Sequence, residues 1–209
     1  MGITKRFRNA LRPNKLPDAD IVAAAPPSIK LLILKECAKD RYDDVTRIYK
    51  TVFPFIENCD VSSMAALGLL AAGVGDVPVF VIKERNVNAL IPIQELSSGM
   101  QKVLIILADI VSLDQGYTYL IDEYENSLGV NAIDFLPSFL VDYQEGKQFI
   151  ITTHHPYLIN NMPVKDWRLF QREGSHVTVV NGDELSEKFG KSKQQAFVQL
   201  INAQQAVWK

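Results

Sequence analysis

The run Thr118-Tyr-Leu-Ile-Asp-Glu123 is apolar until it closes on two adjacent carboxylates. A second apolar run, Gln148-Phe-Ile-Ile-Thr152, leads into Thr153-His154. A carboxylate at a strand end, Asp122, can hold Mg²⁺ through water beside nucleotide phosphates. Its neighbour Glu123 projects differently and can polarise an attacking water. An imidazole at His154, neutral or protonated, can hydrogen-bond a terminal phosphate and so report its presence. A third group is Leu96-Ser-Ser-Gly-Met-Gln101, which opens a strongly periodic apolar stretch. Backbone N–H groups, the Ser97 and Ser98 hydroxyls and a helix dipole make such an end an anion site. Gly99 permits close backbone approach. Each group also has a plainer reading: acids at a strand end, a loop histidine, and a serine N-cap.

These residues need particular elements to place them. Met100, Val103, Leu104, Leu107 and Val111 fall on one face at spacings of three and four, which predicts a helix over 97–111. Tyr117–Asp122 reads as a strand, Val130–Tyr143 as a helix that Pro137 would kink or break, and Gln148–Thr152 as a strand. The order helix, strand, helix, strand from residue 96 onward predicts an α/β layer with parallel strands. Ligands then sit beyond the carboxyl ends of the strands, where Asp122, Glu123 and His154 fall. Upstream, Ser28 is expected to cap a helix over 29–39, and 43–53 reads as a second helix. Residues 54–76 are ambiguous, with a small-residue helix over 64–72 and a turn at Gly73–Gly75. Val79–Lys83 and Ala89–Ile93 read as a hairpin whose second strand Pro92 restricts to an edge or an end. Trp167–Gln171 and His176–Val180 read as a terminal hairpin around Glu173-Gly174, and 192–207 as a final amphipathic helix.

The bulk properties are those of a globular chain. There are 209 residues, 47% apolar and 22% charged, with a net charge of −2. That balance gives no global field for nucleic acid or membranes. The local exception is Lys5, Arg6, Arg8, Arg12 and Lys15, all ahead of Asp18. A solvated arm is the expectation there, with a DNA or phosphate contact as the other reading. Cys37 and Cys59 have no metal or redox spacing, and the expectation is reduced thiols in a cytoplasmic protein. No apolar run approaches the roughly 20 residues of a membrane span.

The three groups together, "LSSGMQ … LIDEYENSLG … ITTHHP", resemble the distal half of an ABC-type AAA-family ATPase of the RecF/OLD-like branch. Leu96–Gln101 looks like the signature motif, and Thr118–Glu123 looks like Walker B with its catalytic glutamate. Glu125–Leu128 is similar to the D-loop region, and His154 matches the switch histidine. The match covers about residues 94–162. Tyr124 and Gly129 stand where that branch usually has Pro and His, and Met100 replaces the usual Gln or Glu. The resemblance implies catalytic roles for Glu123 and His154 and a Mg²⁺ role, through water, for Asp122. It implies nucleotide contacts for Ser97, Ser98, Gly99 and Gln101. Its expected fold is α/β: a partial P-loop NTPase, ABC-ATPase-like sheet with flanking helices, a helical N-terminal part and a C-terminal β-hairpin plus helix. The expected organisation is a basic, proline-rich arm or connector over 1–28, a helical lobe with a small hairpin over 29–95, and the ATPase-like core over 96–209.

The phosphate-binding loop, G-x-x-x-x-G-K-[S/T], does not occur in these residues. Gly190-Lys191-Ser192 mimics its tail, but Leu185 stands where the first glycine belongs. In the family that loop precedes the signature, on a strand beside the one bearing the histidine. Without it, the strand 148–152 is expected to expose an edge. The family mechanism implies a head-to-tail homo- or hetero-dimer with ATP and Mg²⁺ between subunits. DNA or an effector nuclease is the implied further partner, and no membrane. The chain is expected to be the C-terminal portion of such an ATPase, inactive alone, serving DNA processing or phage defence. The alternatives are a non-catalytic interaction or regulatory module derived from it, or a metal-dependent nuclease using Asp122 and Glu123.

Overall fold

The computed structural model describes residues 11–68, 76–113 and 115–184. The expected final helix, the Gly190–Ser192 stretch, the Gly73–Gly75 turn and the basic residues Lys5, Arg6 and Arg8 lie outside them. The chain forms two compact units. The first runs to Ile121 and adds Asn126–Ile150; the second comprises Asp122–Glu125 and the chain from Ile151.

In the first unit, α2 (Pro27–Cys37) follows a short helix, α1 (Ala19–Ala24), within the stretch expected to be an arm. Val22 of α1 is buried in a cluster with Ile33, Cys37 and Leu113, which is why that stretch folds. Pro26, not Ser28, holds the N-cap position of α2; Pro27 suits the first turn because its missing N–H is not needed there. Leu31, Leu32, Ile33 and Leu34 are all fully buried. A helix that is apolar all round belongs in a core, and each such side chain stabilises by roughly 1.5–3 kcal/mol. Lys30 is buried as well, and its ammonium meets Asp109 of α4 (Ser98–Ser112) at 2.5 Å.

The next helix, α3 (Lys39–Val52), is amphipathic, burying Tyr42, Val45, Ile48, Tyr49 and Val52. Tyr49 donates from its hydroxyl to the Met100 carbonyl at 3.2 Å. Its ring meets Phe80 edge-on at 5.6 Å. One side chain thus ties α3, the sheet and the first turn of α4. That sheet is antiparallel, in the order β1 (Ile56–Ser63), β2 (Pro78–Glu84), β3 (Leu90–Pro92). Val61 pairs with Phe80 and Cys59 with Ile82. Pro92 ends β3, as its missing donor requires. Asp60 on β1 accepts from Lys35 Nζ at 2.6 Å and from the Tyr42 hydroxyl at 2.6 Å. Burial pushes its carboxyl up, but these hydrogen bonds and the Lys35 charge outweigh that and hold it below its usual range.

The remaining elements of this unit are β4 (Tyr117–Ile121), α5 (Val130–Asp142) and most of β5 (Lys147–Ile151). The two strands pair with each other. Thr118 contacts Gln148 and Asp122 contacts Thr152, both at a sequence separation of 30. A constant separation means the strands run parallel, as the intervening helix predicts. Pro137 lies inside α5 without breaking it, because Ile133, Leu136, Phe139 and Leu140 keep the helix buried on both sides of the lost hydrogen bond. One face of the strand pair is covered: Tyr117 and Tyr119 pack on the Val22 cluster, and the Tyr119 hydroxyl donates to the Asp109 carbonyl at 2.9 Å. On the other face Leu120 is 75% and Ile150 49% exposed. Among the described residues no third strand joins this pair.

In the second unit a short helix, α6 (Pro156–Asn161), precedes an antiparallel hairpin, β6 (Arg168–Glu173) and β7 (His176–Asn181). Gly174 turns the hairpin with φ +60°.

Two outcomes follow for the first unit. Tyr49→Phe deletes one hydrogen bond to α4 and is expected to cost about 1 kcal/mol, read as a lower urea midpoint. The Asp60 carboxyl titrates lower folded than unfolded, so its contribution is present above the unfolded value of about 3.9 and lost as pH falls through the folded one. Asp60→Asn is therefore expected to lower stability at neutral pH and flatten the acid limb of the stability–pH curve.

Candidate functional site

Asp122 and Glu123 directly follow β4 and are solvent-exposed. Both are held by Thr152, which directly follows β5. Its hydroxyl donates to Asp122 Oδ1 and accepts from the Glu123 N–H, the latter at 2.8 Å. The Thr152 carbonyl accepts from the Tyr124 N–H at 3.0 Å. This clamp shapes a turn in which Glu123 has φ +43°. A left-handed glutamate costs conformational energy, and such strain concentrates where function needs a fixed side chain. With Oδ1 taken by Thr152, Asp122 keeps Oδ2 as an oxygen donor at an exposed tip.

That tip suits Mg²⁺ in a specific way. Among the described residues no group of three or more His, Cys, Asp or Glu could hold a metal ion. A Mg²⁺ ion bound through one carboxylate takes its other ligands from phosphates and water. Asp122 could supply one such carboxylate oxygen.

His154 lies in the same unit as Asp122 and Glu123. Its side chain is 85% exposed, and Nδ1 lies 3.0 Å from Glu125 Oε1. Glu125 itself is only 11% exposed. It also accepts from the Thr153 hydroxyl at 2.6 Å and from the His154 N–H at 3.0 Å. Burial pushes the Glu125 carboxyl up, but the bonds from Thr153 and the His154 backbone outweigh it and hold the group below its usual range. Reasoning from sequence placed Glu125 in the D-loop-like stretch but gave it no role at the site. Its signal was present as a third acid in Asp-Glu-Tyr-Glu, but a carboxylate's partners across a fold are not written in its neighbours. Tyr124, between the acids, is fully buried, and its hydroxyl has no hydrogen-bond partner among the described residues.

The signature-like residues belong to the first unit. Ser97 is the N-cap of α4, its Oγ accepting from the Met100 N–H at 3.3 Å. Ser98 is exposed beside it. Gln101 turns back, its Nε2 donating to the Leu96 carbonyl at 2.8 Å. Gly99 is buried, and a Cβ there would lie 2.2 Å from the Ser127 carbonyl oxygen. The close approach that this glycine permits is thus to the backbone after the Asp-Glu turn. Lys102 Nζ reinforces it by donating to the Asn126 carbonyl at 3.2 Å.

Residues 13–160 match the family described as "AAA domain, putative AbiEii toxin, Type IV TA system". The chain belongs to this AAA family. Solved structures agree on the fold of this AAA protein. An SMC ATPase, described for ATP-driven dimerization and DNA stimulated activation, superposes with TM-score 0.55 at 13% identity, over 83% of this chain and 96% of its own. An Smc head bound to the C-winged helix domain of ScpA gives 0.55 at 12%, over 84% and 52%. The Smc head domain with a coiled coil and joint from Pyrococcus yayanosii gives 0.57 at 13%, over 82% and 30%. The AAA chain spans about half the length of the second and under a third of the third. The likeness is one of fold: a mixed α/β, P-loop NTPase architecture of the ABC-type ATPase head. None of the curated proteins matches the sequence. Among the described residues no helix is long and apolar enough to cross a membrane.

The contact at Gly99 of this AAA chain is backbone against backbone, so neither side can yield cheaply. Gly99→Ala is expected to destabilise by about 1–3 kcal/mol. Denaturant unfolding measures it, with Ser98→Ala, at an exposed position, as the near-neutral control.

Proposed function

We propose that this chain is the C-terminal portion of a RecF/OLD-like, ABC-type ATPase that binds and hydrolyses ATP at a head-to-tail dimer interface. The observation that carries the proposal is the Thr152 clamp. It holds a carboxylate suited to phosphate-bound Mg²⁺ and a strained, exposed glutamate side by side, in the unit that also presents His154. A bound Mg²⁺ would supply positive charge beside the phosphates. Asp122 holds it, through water, at the Oδ2 side. Glu123 orients the attacking water and accepts its proton. His154 hydrogen-bonds the terminal phosphate. Ser97, Ser98, Gly99 and Gln101 serve the nucleotide of the partner subunit, with the uncapped N–H groups of α4 facing its phosphates.

The phosphate loop comes from sequence joined to this chain or from a partner, and without it these residues face no phosphate cradle. ATP-driven dimerization and DNA stimulated activation, described for an SMC ATPase of the same fold, support coupling of this site to DNA processing or phage defence. A non-catalytic, regulatory module derived from such an ATPase is the other reading, favoured by the absence of a G-x-x-x-x-G-K-[S/T] run from these residues.

The test joins the chain to a P-loop lobe and measures Mg²⁺-dependent ATP hydrolysis. Glu123→Gln is expected to lower kcat by about 10²-fold or more, the usual contribution of a general base. Unchanged hydrolysis in that variant would defeat the assignment. Calorimetry on the chain alone is expected to detect no tight ATP binding.

A further inference from the structure

The two adjacent histidines after β5 are held by opposite rules. His154 Nδ1 faces a carboxylate oxygen, Glu125 Oε1, at 3.0 Å. His155 Nδ1 instead accepts from the Tyr157 N–H at 3.3 Å. A neutral imidazole carries one proton, and the hydrogen bond made by one nitrogen decides which nitrogen bears it. An ionised carboxylate can only accept, so the close approach at His154 favours a proton on Nδ1. A backbone N–H can only donate, so the contact at His155 requires Nδ1 bare and the proton on Nε2.

We propose that Glu125 is the positioning residue of His154: it takes the Nδ1–H, fixes the ring, and leaves Nε2 as the one nitrogen able to meet a substrate oxygen. The use of Nε2 toward a phosphate rests on the ATPase reading of this site; the ring geometry does not. Glu125 is equipped for the task. It is nearly buried, its carboxyl is held below the usual range, and its oxygens accept from the Thr153 hydroxyl and the His154 N–H. The Thr153 hydroxyl donates to Glu125 and accepts from the His155 N–H at 3.1 Å. The backbone around His154 is therefore fixed by the same carboxylate that orients its ring. In the neutral ring Nε2 is an acceptor. It becomes a donor to a phosphate oxygen when a second proton joins it, and the Glu125 charge faces the imidazolium so formed.

A carboxylate that merely tied the loop through Thr153 and the His154 backbone would leave the ring's tautomer indifferent to it. That difference is measurable on the full chain without nucleotide. With ¹⁵N-labelled histidine, long-range ¹H–¹⁵N correlation at about pH 8.5, well above the ordinary histidine value near 6.5, reads which nitrogen carries the proton. His154→Gln, His155→Gln and His176→Gln assign the three rings. The expected spectrum has His154 protonated at Nδ1 and His155 at Nε2. In Glu125→Ala, His154 is expected to switch to the Nε2–H form while His155 is unchanged. In Glu125→Gln, whose amide oxygen can still accept, the Nδ1–H form is expected to persist.

A wild-type His154 protonated at Nε2 overturns the proposal. So does an Nδ1–H form that survives in Glu125→Ala. Should Glu125→Ala fail to fold, the wild-type tautomers still decide. Because no nucleotide is present, this result and the effect of Glu123→Gln on hydrolysis can fail independently.

Discussion

Parallel strands deliver polar side chains to one end of a sheet, but they leave the backbone there without ladder partners. Backbone groups must be satisfied, and how this is done sets the geometry of anything built at that end. In this chain two consecutive threonines do it. Thr152 takes the Glu123 and Tyr124 amides on its hydroxyl and carbonyl, and gives its proton to Asp122. Thr153 gives its proton to Glu125. The turn that results is strained at Glu123 and buries Tyr124 completely. The side chains with chemical potential are thus placed by two hydroxyls that have none.

A second constraint governs the start of α4. Its capping serine is ordinary; its surroundings are not. The Tyr49 hydroxyl fixes the Met100 carbonyl from one side, and the Ser127 carbonyl approaches Gly99 from another. The helix behind it is secured by Lys30, whose buried ammonium pairs with Asp109. Breaking a buried pair from one side leaves an uncompensated charge, which is far costlier than the pair is stabilising. This helix start is therefore fixed from several sides by groups of other elements.

The parallel strand pair stands apart from this rigidity. Parallel sheets are normally covered on both faces, and two strands alone are marginal. Here Leu120 and Ile150 face solvent opposite the tyrosine-packed side.

The amphipathic and apolar-run elements were legible from residues alone: α4, the two parallel strands, α5 and the terminal hairpin all follow periodicity, and Pro92 marked the end of β3. Less legible were β1 and α1. The strand Ile56-Glu-Asn-Cys-Asp-Val-Ser-Ser63 carries polar residues whose partners, Lys35 and Tyr42 on Asp60, lie on other elements. The residues around α1 look like a linker until Val22 finds its cluster. Local sequence specified where carboxylates, serines and histidines would fall along strands and helices, because side-chain periodicity is a short-range property of the backbone. Tertiary structure alone decided that Thr152 would bend Glu123 into a left-handed turn, that Gly99 would meet the Ser127 carbonyl, and that Glu125 would hold one histidine of an adjacent pair. Each of those depends on groups separated in sequence meeting within hydrogen-bonding or contact distance, and only the folded chain brings them there.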